Sequence, residues 1–138
     1  MVYEYRSDFM KNVIDVPPFM VRTMWKSGKI VIVDIREPWE YQSHHIPGAL
    51  LIPMNYLELA SSFLRTREVA VVCEHANRST RVTRERPHLF KLAYNMLGGM
   101  EGWMRNGFEV VSGYDEGAEF YKTFLHRRNF SNSFSISE

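Results

Sequence analysis

Four consecutive β-branched residues, Ile30-Val31-Ile32-Val33, carry no polar alternation, which is the pattern of a strand covered on both faces, as in a parallel sheet. Val69-Ala70-Val71-Val72 repeats that pattern and runs directly into Cys73. Leu50-Leu51-Ile52 and Ala93-Tyr94-Asn95-Met96 are shorter strand candidates. Helical patterns lie between them. Asp15-Val16-Pro17-Pro18 reads as an extended lead into a helix that runs to Ser27, because proline is tolerated in a first turn whose N–H has no partner anyway. Val21, Met24 and Trp25 share one face of that helix, and Gly28 is placed to close it. A second helix is expected from Tyr56 to Leu64 with Asn55 as N-cap. A third begins near Arg78 and weakens at Pro87. Strands alternating with helices predict an α/β fold, a small parallel sheet flanked by helices on both faces.

The ends of the chain differ from its middle. Residues 1–13 lack periodicity and are expected to form an N-terminal arm, with the domain itself over 14–113. From Tyr114 to Arg128, Phe120, Tyr121, Phe124 and Leu125 suit an amphipathic helix, and the serine-rich stretch that follows suits a frayed tail, so 114–138 is read as an appended segment. Of the 138 residues 45% are apolar, enough for one core and one domain.

Charge narrows the partners. Seventeen Lys and Arg face sixteen Asp and Glu, without the basic excess that non-specific nucleic-acid binding requires. No apolar run approaches the roughly 20 residues of a membrane span, and Met1 to Lys11 has no signal-peptide core. A cytoplasmic protein, binding neither nucleic acid nor membrane, is expected. A single cysteine, Cys73, excludes a disulfide within these residues and a multi-cysteine zinc site, and leaves a lone thiol as the chemical question.

Cys73 sits at the end of a buried strand, before a short polar loop and a helix: Cys73-Glu74-His75-Ala76-Asn77-Arg78-Ser79-Thr80-Arg81. Ligands of parallel sheets bind beyond the carboxyl ends of the strands. Successive backbone N–H groups and the first turn of the helix can point at the sulfur and favour an anion there. Arg78, and on the next turn Arg81, add positive charge. Taken without its neighbours, a lone strand cysteine is usually an inert core residue. The arginine-flanked turn argues for a thiolate open to solvent. Asp34 and Arg36 end the first buried strand on the same rim, and there an ion pair bracing the loop is favoured over direct chemistry. His44 and His45 are adjacent on an extended chain and point to opposite sides, so they do not form a metal site.

Asp34-Ile35-Arg36-Glu37, Glu40-Tyr41, His45-Ile46-Pro47-Gly48-Ala49, the loop from Cys73 to Ser79, and Asn95-Met96-Leu97-Gly98-Gly99 followed by Trp103 together resemble, in order and spacing, the landmarks of single-domain rhodaneses, which are sulfurtransferases. The resemblance implies a catalytic Cys73 in a substrate-binding loop of Glu74, His75, Ala76, Asn77, Arg78 and Ser79, supported by Asp34, Arg36, His45 and Arg81. It implies no metal or organic cofactor. Sulfane sulfur would pass from a small donor such as thiosulfate to Cys73 as a persulfide, and then to cyanide or an external thiol, with a protein donor or acceptor as the other partner class. A persulfide carrier or interaction module without turnover is the alternative.

Related phosphatases and arsenate reductases carry one more residue between the cysteine and the closing arginine. Here Ser79 stands where their arginine would be. Two positions depart from the family pattern. Glu74 replaces a basic or neutral residue of thiosulfate-using relatives, and is expected to repel a dianion, pair with Arg78 or select another partner. Ala76 replaces a glycine, so any left-handed residue of the loop is expected at Asn77, which tolerates that conformation better. His45 is read as holding neighbouring backbone, and His75 as a proton donor, substrate contact or solvated loop residue.

Overall fold

The computed structural model describes residues 12–125. The expected arm lies outside the described residues up to position 11, as does the expected tail from position 126. Five strands, β1 (Val13–Val16), β2 (Val31–Asp34), β3 (Leu50–Leu51), β4 (Glu68–Val72) and β5 (Leu92–Met96), form one sheet in the order β1-β5-β4-β2-β3. Every pairing is parallel. β1 starts at Val13, inside the expected arm, because Val13 to Val16 pair with Ala93 to Met96 along the edge of β5.

Side chains alternate along the two buried strands. Ile32, Ala70 and Val72 enter one core with Val21 of α1 (Pro18–Lys26), Tyr41 of α2 (Pro38–Ser43) and Met100 and Trp103 of α5 (Gly99–Arg105). Val33, Val69 and Val71 enter the other with Leu64 of α3 (Ser61–Leu64) and Val82 of α4 (Asn77–Glu85). Both faces are therefore covered, which is why these strands need no polar alternation. The α/β class and the flanked parallel sheet are as the pattern predicts. Among the described residues no helix is long and apolar enough to cross a membrane.

Two expected helices take other forms. From 54 to 64 the chain makes a 3₁₀ turn (Met54–Tyr56), further turns and only then α3. Its N–H groups reach back three residues, Tyr56 to Pro53 O at 2.7 Å and Ala60 to Leu57 O at 3.1 Å. Leu57 and Ala60 are both buried, and a three-residue repeat eclipses them on one side of the tighter helix, over the sheet. Asn55 caps nothing, and Pro53 and Ala60 take the N-cap places. In the segment from Tyr114, a 3₁₀ turn (Glu116–Ala118) capped by the Asp115 carboxylate is followed by a π-helical turn (Tyr121–Leu125).

The strand order places the site. β2 continues outward to β3, and β4 continues the other way to β5. Between β2 and β4 the connections diverge, and this opens a crevice at the carboxyl ends of the two strands. Asp34 ends β2, and Cys73 directly follows β4.

Candidate active site

Cys73 is the floor of the site, with only 1% of its surface exposed. The thiol expected to be open to solvent is instead buried, within the apolar cluster that also holds Val33, Ile35 and Val71. Its sulfur meets the positive end of α4: the Ser79 N–H donates to Sγ at 3.2 Å, and the Ser79 hydroxyl stands 3.5 Å away. The first turn of a helix carries N–H groups with no intrahelical acceptor, and their dipoles favour negative charge on the sulfur.

The loop is turned so that its amides stay free. Its carbonyls point outward to α5, where the N–H groups of Met100 and Glu101 donate to Cys73 O at 2.8 Å and Glu74 O at 3.0 Å. Among the described residues, the N–H groups of Glu74, His75, Ala76, Asn77 and Arg78 donate to no acceptor of the chain. Five successive unpaired donors, followed by the one on Sγ, are a run of backbone N–H groups of the kind that can hold an anion. α5 comes this close because Gly99 has no side chain. A Cβ there would lie 2.4 Å from Glu74 O and 2.6 Å from Cys73 O.

Ala76 takes the left-handed conformation, with φ +73°. The expectation of strain at Asn77 is therefore corrected: Asn77 is already the first residue of α4, so the reversal has to fall one residue earlier. Alanine in this region costs about 1 kcal/mol, and packing holds it there. Ser79 anchors the far side of the loop. Its hydroxyl donates to Asn95 Oδ1 at 2.6 Å, and the Asn95 amide nitrogen donates to Asp15 at 3.1 Å and Thr80 at 2.9 Å. Asn95 is fully buried on β5. In the sequence Asn95 stands out as a strand residue and a family landmark but not as a partner of the loop, although an asparagine in an otherwise apolar buried strand is a signal that it has one.

Arg36 is wholly buried and is the hub of the rim. Its guanidinium forks onto Asp34 at 2.8 to 3.2 Å, reaches Glu74 Oε1 at 3.0 Å and donates to His44 O at 2.7 Å. Burial by itself would depress its basicity, but the bonds and charges of Asp34, with Glu74 and Glu40, prevail and raise it above the ordinary arginine value. Arg36 thus ties Asp34, at the end of β2, to Glu74 of the loop. Glu74 pairs with Arg36 and not with Arg78.

Arg78 is gripped from the other side by α2. Both of its terminal nitrogens donate to Glu40 at 2.9 Å. That fork is the main reason the Glu40 carboxyl titrates below the ordinary carboxylate range. Glu40 also closes a capping box with Glu37 at the start of α2, so the helix that grips Arg78 is itself fixed at its first turn. Arg81 does not join the site: its side chain is 70% exposed and faces Glu85 on its own helix. His75 is exposed, with Nδ1 3.1 Å from Glu101. His45 is buried away from water, donating from Nδ1 to Tyr41 O at 2.9 Å and stacked on the Tyr41 ring. Its backbone bridges to Val111. These contacts join α2 to the strand-like segment at Val111.

The model of the rhodanese-like domain family matches residues 20–106. Over 88 residues the chain is 31% identical to a sulfurtransferase of Allochromatium vinosum, covering 60% of this chain and 79% of that one. It is 34% identical over 74 residues to YrkF of Bacillus subtilis, whose name places it among sulfur carrier proteins; the match covers 52% of this chain but spans only 40% of YrkF. A rhodanese-related protein from Thermoplasma volcanium superposes with a TM-score of 0.63 at 26% identity, over 71% of this chain and 97% of its own.

Proposed function

The chain belongs to the rhodanese-like domain family, and from that premise we propose that it moves sulfane sulfur from a donor such as thiosulfate to an external thiol, or to cyanide, through a persulfide on Cys73. In the first half-reaction the Cys73 thiolate attacks the outer sulfur of the donor. The new S–S bond forms as the donor's S–S bond breaks, and the electron pair leaves on sulfite. In the second, the acceptor attacks the outer persulfide sulfur, takes it away and returns the thiolate. The electron pairs balance, and no oxidant enters. Cys73 is the sole cysteine of these 138 residues, so the acceptor thiol is supplied from outside them.

The observation that carries this reading is the Ser79 N–H on Sγ at 3.2 Å beside the unpaired loop amides. The added sulfur stands about 2 Å beyond Sγ, which moves the reactive atom off the floor towards those donors. They stabilise its charge in place, without reorganisation, as an oxyanion hole does for oxygen. Burial of Cys73 suits the same chemistry, because the loop shields the persulfide from bulk oxidants and leaves only its outer atom to the acceptor.

The test is thiocyanate formation from cyanide with a small sulfane donor. The wild-type protein is expected to turn over and Cys73→Ser to form none above the uncatalysed background. Equal rates from the two proteins would overturn the assignment. The name of YrkF favours a second reading, a carrier that is loaded by another protein; loading that needs a protein donor and fails with every small one would select it.

A further inference from the structure

Five charged side chains of the loop and of the elements that hold it are paired with one another. Arg36 is shared between Asp34 and Glu74, and Arg78 is held in a two-point fork by Glu40. Three carboxylates thus stand against two guanidiniums. The arginine best placed to receive an anion has both of its terminal nitrogens on Glu40, and the loop residue next to Cys73 is itself an acid. The unpaired amides can take the single charge of a persulfide. Within this group of five, no unpartnered cation is left to take a second charge on the donor's leaving group.

Building on the proposed Cys73 persulfide, we infer that Glu74 and Glu40 set donor choice: the site takes sulfane sulfur from persulfides whose alkyl group is uncharged or cationic, in preference to the sulfonate-bearing dianion thiosulfate. In such a transfer the donor's S–S bond breaks as the bond to Cys73 forms, and an alkyl thiolate leaves. The repulsion acts on approach and on the leaving group, so it appears in the rate of loading. One unit charge facing another at a partly exposed rim is worth up to about 1 kcal/mol, which is about a fivefold change in rate.

The experiment measures the second-order rate of loading of Cys73 by thiosulfate and by two alkyl persulfides of equal length, one ending in a carboxylate and one in an ammonium, at low ionic strength. Glu74→Gln and Glu40→Gln are measured alongside. The amide introduced by Glu74→Gln keeps an oxygen for Arg36 while removing the charge, and comparing each donor across the variants cancels the donor's intrinsic reactivity. The wild-type protein is expected to load from the ammonium donor about fivefold faster than from the carboxylate donor. Each variant is expected to narrow that ratio and to speed loading from thiosulfate severalfold, and added salt should shrink all of these differences. A wild-type ratio near one, or a ratio that neither variant changes, would overturn the inference while leaving the persulfide intact. Failure of every donor to load Cys73 would remove the persulfide reading and this inference with it.

Discussion

Gly99→Ala is expected to cost about 2–4 kcal/mol of stability and to slow sulfur transfer at least about 100-fold. Two effects add. Gly99 has φ +61°, where a Cβ alone costs about 1 kcal/mol. The same Cβ would fall 2.4 Å from the Glu74 carbonyl oxygen and 2.6 Å from that of Cys73, both parts of backbone held by α5. Overpacking of this kind costs about 1–3 kcal/mol. To relieve it, the loop has to retreat from α5, and a displacement of about 1 Å at a reacting atom is enough for a 100-fold loss of rate. Gly28→Ala is the control. Gly28 has φ +81°, but the place its Cβ would occupy has no neighbour within 4 Å, so this variant should lose the backbone energy only and transfer sulfur normally. Urea unfolding and thiocyanate formation for the two variants give both readings, and equal activity in them would contradict the role given to the α5 contact.

Arg36→Met is expected to destabilise the protein by about 3–5 kcal/mol, the range for removing one partner of a buried ion pair. The penalty arises less from the lost attraction than from what stays behind. Asp34 is 1% exposed and would be left buried without its fork, Glu74 would lose its anchor, and the His44 carbonyl would lose its donor. Arg36→Lys preserves the charge but cannot reach three partners with a planar fork, so it should fall between wild type and Arg36→Met. The double variant Asp34→Asn/Arg36→Met should recover part of the loss, because Asp34→Asn removes the stranded carboxylate. Denaturant midpoints measure all three. A loss below about 1 kcal/mol in Arg36→Met would mean that the rim is braced by other contacts.

Both predictions concern residues whose positions were legible in the sequence; so was the Asp34 partner of Arg36, but not Glu74, the His44 carbonyl or the approach of Gly99 to the loop. The runs Ile30 to Val33 and Val69 to Val72 disclosed β2 and β4 because a strand buried on both faces has a local signature, and Cys73 followed from where β4 ends. The landmarks from Asp34 to Trp103 likewise disclosed the family. Pairings across the sheet left no such mark. Glu74 is 38 residues from Arg36 in sequence, and an acid beside Arg78 in the chain gave no sign that it would turn to the other arginine. Arg78 found Glu40 at the same separation.

Local preference misled where tertiary geometry decided. Asn77 tolerates a left-handed backbone better than Ala76, yet the start of α4 required the reversal at Ala76. Arg81 lies one turn beyond the loop, and its side chain turned to Glu85. The segment from Met54 to Leu64 has a helical composition, but its path over the sheet is made from shorter turns.

The most direct measurement of the central claim, that the loop holds Cys73 as the carrier of a transferable sulfur, is intact-protein and peptide mass spectrometry after exposure to a panel of sulfane donors. The expected result is a gain of one sulfur atom, mapped to the peptide containing Cys73 and lost again on addition of cyanide. A mass unchanged by every donor, in a protein whose thiol can still be alkylated once unfolded, would contradict it.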